Sequence, residues 1–179
     1  TDSTSFDYIL AQVVNSTISR NQNYITINKG RVEGIREEMG VVDHNGIIGI
    51  VERVSDHFAV VLPILNTKLR ISCKVLGSDY FGSLVWDGVD PQIAILEELP
   101  RHVNFVTNDT IVTSGYSAVF PAGLMVGQIL EQQKAKNDNF YSLKIKLASD
   151  FTRLNSVRII LNNKQQEQHQ LESRILQDD

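Results

Sequence analysis

The sequence predicts an all-β protein, a barrel or a sandwich built from many short strands. Three observations carry that prediction. Apolar residues repeat with period 2, turn signals break the chain at short and fairly regular intervals, and long stripes of period 3.6 are absent. A half-buried strand needs this alternation, because successive side chains point to opposite faces.

In chain order, residues 9–17 are rich in β-branched residues, and YITIN places Ile25 and Ile27 on one face with Tyr24 and Thr26 on the other. Residues 29–39 (KGRVEGIREEM) carry Gly30 and Gly34, which argue against a long helix and leave a loop or a single helical turn. Asn45-Gly46 between Val41-Val42 and Ile47-Ile48 predicts a hairpin with a type I′ turn, whose two central residues take positive φ. Strands follow at 47–54 and 59–62, with Gly46 read as part of the turn and Gly49 as the site of a tight strand crossing. LRISCKV alternates Leu69, Ile71, Cys73 and Val75 with polar residues, Gly77-Ser78-Asp79 turns the chain, and residues 81–86 form the next strand. Asp87-Gly88 leads to a strand at 93–96, Lys136 opens another turn, SLKIKL repeats the alternation, and Val157, Ile159 and Leu161 close the series. The stretch after Asn162 is polar, and Leu171, Ile175 and Leu176 are its only apolar anchors. Three apolar residues bury little, which favours a frayed tail over a short amphipathic helix.

The stretch DTIVTSGYSAVFPAGLMVG (109–127) stands apart. A strand at 110–113 enters Thr113-Ser114-Gly115, then a turn-rich corner, then Pro121-Ala122-Gly123 and a second apolar strand running through Gly127. Gly115 and Gly123 can adopt torsions closed to other residues, and Pro121 fixes one torsion. Such a strand–corner–strand element bends a sheet in the way small barrels require.

At 179 residues the chain is long enough for one domain or two small ones, and 42% hydrophobic with 21% charged residues is ordinary for a globular protein. The net charge of −4 argues against nucleic acid as partner. Cys73 is the sole cysteine, which excludes a disulfide framework and a thiolate metal cluster. No apolar run approaches the roughly 20 residues that span a bilayer. The polar opening without a methionine carries the expectation of a piece excised from something longer.

Ser114, with His44, His57, His102, His169 and nearby aspartates, raises a double-β-barrel serine hydrolase as the alternative function. The surroundings of Ser114 lack G-x-S-x-G, so hydroxyls that bond nearby backbone are the stronger reading. The histidines lack metal-ligand spacing, and the glycines form neither G-x-G-x-x-G nor a P-loop, so neither metal nor cofactor is expected. Tyr116, Val119 and Phe120 are large apolar groups in a predicted loop and make the best candidate contact surface, with Leu124 as part or support of it. Exposed edge strands offer a second route to self-association.

Asn28-Lys29-Gly30, Gly34-Ile35, residues 39–42 (MGVV), 46–51 (GIIGIV), 109–115 (DTIVTSG) and 120–127 (FPAGLMVG) occur in an order that resembles the bacterial rod shape-determining protein MreC family. The resemblance covers roughly residues 8–161 and is loose over 79–107. It implies two small six-stranded β-barrels behind a coiled-coil helix, the first discontinuous (8–61 plus 127–162) and the second inserted (62–126). Residues 1–7 would then be a linker from the coiled coil, residues 120–127 a strut between the barrels, and residues 163–179 a polar tail. It further implies a periplasmic scaffold without catalytic residues, anchored by a transmembrane helix outside this sequence. The implied partners are the elongation-specific penicillin-binding transpeptidase, MreD, indirectly the actin-like MreB, and further copies of itself as dimer or filament.

Overall fold

The computed structural model describes residues 6–134, 137–162 and 164–178. Within them twelve strands close into two antiparallel barrels of six. The first barrel is built from β1 (Asp7–Ser16), β2 (Ile25–Ile27), β3 (Gly40–Val42), β4 (Ile47–Val54), β5 (Ala59–Pro63) and β12 (Ser156–Leu161), in the order β1-β12-β3-β4-β5-β2. The second contains β6 (Ile71–Val75), β7 (Phe81–Val85), β8 (Ile93–Pro100), β9 (Thr110–Thr113), β10 (Met125–Gln133) and β11 (Phe140–Leu147), in the order β10-β11-β8-β7-β6-β9. Arg31–Glu33 form one 3-10 turn, and an α-helix, α1 (Gln165–Asp178), follows β12.

The predicted alternation sets the burial. In β6, Ile71, Cys73 and Val75 point inward while Ser72 and Lys74 point outward. Ile25, Ile27, Val41, Val61 and Ile159 fill the first barrel, and Leu84, Leu96, Ile111, Leu143 and Ile145 fill the second. Shape as well as hydrophobicity is satisfied, because Gly30, Gly49 and Gly127 sit where any Cβ would strike the carbonyls of Ser55, Leu62 and Lys146.

Four expectations need correction. The boundary expected at 126/127 falls inside β10, which pairs with β9 through Met125–Val112 and with β11 through Gly127–Leu147. Hydrogen bonding on both sides keeps β10 and the hairpin it forms with β11 in the second barrel, so only β12 returns to the first. Secondly, both barrels close, so among the described residues every strand has a neighbour on each side and the expected edge strands are not found. Thirdly, the β3–β4 hairpin does not use a type I′ turn, since neither Asn45 nor Gly46 is among the residues of positive φ. Asp43 makes the turn instead: its Oδ1 accepts the Asn45 and Gly46 N–H groups at 2.9 and 3.1 Å, and its own N–H donates to the Gly46 carbonyl. Fourthly, the tail is helical from Gln165, and the anchors expected of it (Leu171, Ile175 and Leu176) are exposed. Polar groups in its first two turns hold it instead. Asp7, placed in the expected linker, already belongs to β1. Residues 1–5, 163 and 179 of the expected linker and tail lie outside the described residues.

The passage between barrels is pinned by asparagines that the sequence reading did not single out. Asn23, fully buried, donates through Nδ2 to the carbonyls of Arg20 (2.7 Å) and Leu65 (2.8 Å), and its Oδ1 accepts Thr17 Oγ1 (2.9 Å). Asn66 donates back to the Asn23 carbonyl at 3.2 Å. Residues 64–70, which carry the chain from β5 to β6, are thus tied to the first barrel before the second begins.

Candidate partner-binding surface

Thr113 organises the corner that follows β9. Its Oγ1 donates to the Pro121 carbonyl at 2.7 Å and accepts the Leu124 N–H at 2.9 Å, while its backbone pairs with Leu124 and Gly123. The hydroxyl thus draws the two ends of a nine-residue detour together. Gly115 enters it at φ 81°, where a Cβ would lie 2.8 Å from the Ala122 Cβ, and Gly123 leaves it at φ 90°. Ser117 takes φ 79° at its crest, an unfavourable conformation for a non-glycine residue.

The detour packs against the first barrel. Phe120, only 6% exposed, lies against Gly40 of β3, where a Cβ would meet its ring at 2.7 Å. Gly46 faces the Met125 carbonyl in the same way. Ser149, on the return crossing, donates to Asp43 Oδ1 at 3.1 Å, and Asn162 donates through Nδ2 to the Ala118 carbonyl at 3.0 Å. Phe120 and Leu124 are therefore buried supports of the junction rather than contact residues. Val119 is half-buried, and Tyr116 stands out at 68% exposed.

Tyr116 is not isolated. Its ring stacks on Phe81 of β7 with centroids 5.0 Å apart and planes at 27°, and Phe81 is itself exposed. The pair lines a groove of about 750 Å³ together with Phe140, Tyr141, Gly82, Ser83 and Ser142. Glu97 and Glu98, which also line the groove, pair with Arg70 at 2.9 and 3.5 Å. Arg101 lies 4.8 Å over the Tyr141 ring. Phe81, Phe140 and Tyr141 were missed by the sequence reading because outward positions of a strand register look alike until the barrel brings them together.

Ser114 holds the corner rather than addressing a substrate. Its Oγ lies 2.7 Å from Ser72 Oγ and accepts the Tyr116 N–H at 3.0 Å, and its N–H donates to the Ser72 carbonyl. The histidines lie elsewhere: His57 beside Glu33 (3.3 Å), His169 beside Glu38 (3.0 Å), His102 edge-on to Tyr80, and His44 in the β3–β4 turn. Among the described residues no cluster of three or more His, Cys, Asp or Glu could hold a metal ion. The Gly30 N–H, donated to its carboxylate, holds the Glu33 carboxyl below its usual range, with His57 as a smaller influence. Burial pushes the Cys73 thiol far above its usual range, so it stays protonated and unreactive.

Fold and surface together define a tandem β-barrel module whose barrels meet at a hydrogen-bonded corner, with an aromatic patch beside the joint. The chain belongs to the family of the rod shape-determining protein MreC: the family model for the MreC barrel core matches residues 13–161. The cell shape-determining protein MreC of Listeria monocytogenes is 30% identical over 158 residues, covering 87% of this chain and 54% of that protein. The chain spans about half the length, or less, of the curated relatives it matches. The solved structure of MreC from L. monocytogenes superposes with a TM-score of 0.79 at 30% identity over 89% of this chain and 78% of that one. MreC from Helicobacter pylori, solved in complex with the penicillin-binding protein PBP2, shares the fold with a TM-score of 0.68 at 17% identity over 88% of this chain and all of that one (100%).

Proposed function

We propose that this chain is a non-enzymatic scaffold of the cell-wall elongation machinery that maintains rod shape by binding a peptidoglycan transpeptidase. The observation that carries this reading is the complex of its structural relative with PBP2. Tyr116 and Val119, together with Phe81, form the contact surface, and Phe120 and Leu124 hold it from below. An exposed, pre-stacked aromatic pair suits an interface core, because rigid aromatic anchors lose little entropy on binding and bury large area.

The surface lies outside the cytoplasmic membrane, the full protein being anchored by an N-terminal helix and linked to MreD and, through the complex, to MreB. Self-association as dimers or filaments would multiply such surfaces along the membrane. Binding acts by population shift: the scaffold favours the active conformer of its partner only to the extent that it binds that conformer more tightly.

Calorimetric titration with the ectodomain of the elongation transpeptidase of the same organism tests this. Saturable binding is expected, weakened roughly 30-fold or more by Tyr116→Ala, as truncation of an interface anchor typically costs 2 kcal/mol or more. Unchanged affinity in a folded Tyr116→Ala/Phe81→Ala variant would refute the assignment of this surface.

A further inference from the structure

At 14 residues, α1 is too short to be stable alone, and its apolar residues face solvent. Polar groups in its first two turns hold it. Buried Gln165 donates Nε2 to the Glu38 carbonyl at 2.8 Å, Gln166 Oε1 accepts Arg36 Nη1 at 2.6 Å, and His169 Nδ1 lies 3.0 Å from Glu38 Oε2. All three bonds end on Arg36 and Glu38. That segment runs directly into Gly40, which underlies the Phe120 ring and the Val119 carbonyl. At the other end of the connection, Asn162 receives the Lys164 N–H on Oδ1 at 3.1 Å and gives its Nδ2 hydrogen to Ala118. The helix is therefore tied on two sides to the residues that bound the corner loop.

Two further observations fit this arrangement. Glu38 sits at φ 70°, a conformation costly for glutamate, and it is the residue whose carbonyl and carboxylate both bond to α1. Such strain persists only where surrounding contacts over-determine it, and it clusters at functional elements. The loop itself is strained at Ser117, and its Ala118 carbonyl accepts a side-chain hydrogen bond from Asn162.

We infer that α1 is a strap that holds the 116–119 loop in its ordered conformation, so that docking of the helix controls the presentation of Tyr116 and Val119. With the strap seated, Asn162 fixes Ala118 from one side, and the 36–40 segment supports Phe120 from the other. With the strap released, the loop loses its external hold and opens more often. Anything that binds the docked loop stabilises the docked helix by the same factor. The mechanical coupling stands on this chain alone, whereas its regulatory meaning rests on the contact surface proposed above.

Hydrogen exchange of the chain without any partner separates the two. Gln165→Ala/His169→Ala should speed exchange in α1 and, about five-fold, in residues 116–119, the factor expected from losing one net hydrogen bond. The β8–β11 pair should be unaffected. Asn162→Asp keeps an acceptor for the helix N-terminus and removes the donor to Ala118. It should loosen 116–119 while α1 keeps its protection. Release of α1 with an unchanged 116–119 loop in the double variant, or an unchanged loop in Asn162→Asp, would overturn the strap. So would a double variant in which α1 itself stays protected. None of these outcomes depends on whether the transpeptidase binds.

Discussion

Replacing Thr113 by valine removes one oxygen and nearly conserves shape, which makes it the sharpest test of the corner. Thr113 is 1% exposed, and its hydroxyl makes two hydrogen bonds, donating to the Pro121 carbonyl at 2.7 Å and accepting the Leu124 N–H at 2.9 Å. The bond to Leu124 is buried, so its loss strands a donor at the full desolvation penalty, about 1–3 kcal/mol. The bond to Pro121 is only part-buried, and water can replace it at a cost of about 0.5–1.5 kcal/mol. The sum, roughly 1.5–4.5 kcal/mol, should lower the melting temperature by about 3–18 °C in a chain of this length. Urea denaturation and a thermal melt of Thr113→Val beside Thr113→Ser measure this directly. Serine keeps the hydroxyl and loses a methyl, so its loss should stay near 1 kcal/mol, roughly the transfer cost of one buried methylene. A loss below about 0.5 kcal/mol in the valine variant, under the usual net worth of a single hydrogen bond, would refute the hydroxyl as the clasp of the corner.

Three further outcomes are expected. Phe120→Ala, which empties a site closed over Gly40, should cost about 3–5 kcal/mol and appear first as loss of stability by circular dichroism, before any effect on partner affinity. Gly115→Val places a branched side chain at φ 81° against Ala122 and should destabilise by roughly 1–3 kcal/mol, read as a shift of the urea midpoint. Cys73, fully buried with its thiol held protonated, should react with a thiol reagent only in urea, with labelling tracking global unfolding; rapid labelling of the native protein would show that the second barrel opens locally.

Where local physics decides, the sequence was legible. Residues 47–54 and 110–113 match β4 and β9, because alternation and β-branching report a half-buried strand directly. Where the deciding partner is distant, it was not. β10 and β11 would carry the same period in either barrel, and only closure onto β8 and β9 assigns them. Phe120 looked exposed because the glycine that makes room for it lies 80 positions earlier, at Gly40. Asn45-Gly46 suggested a backbone-driven turn, yet the Asp43 carboxylate makes the turn without positive φ. The helix was judged by its apolar residues, whereas Gln165 and His169 hold it through single polar bonds that leave no periodic trace. Tyr116 was visible as an apolar group in a loop, but its partner Phe81 was not, since nothing local distinguishes it from other outward strand residues.

Closure has a consequence for recognition that joins these observations. A barrel with every strand paired on both sides offers little ladder for a partner strand to extend, its one-sided stretches being the overhanging ends of β1 (residues 7–11) and β10 (residues 131–133). That favours recognition through side chains that stand off the barrel walls and the few loops where the backbone leaves the ladder. The corner after β9 is such a loop, packed between the two barrels, so its conformation is set by both. Thr113 and Ser114 hold it from the second barrel, while Gly40 and Asn162 hold it from the first. A surface built on that loop therefore senses the relative seating of the barrels, which a surface on either barrel wall would not. Partner affinity should accordingly fall in Asn162→Asp, whose substitution lies in the first barrel's connector, even though Asn162 reaches the loop through one hydrogen bond, to the Ala118 carbonyl. Affinity unchanged in that variant, with the loop shown to be loosened, would mean that the partner reads the aromatic wall of the second barrel alone.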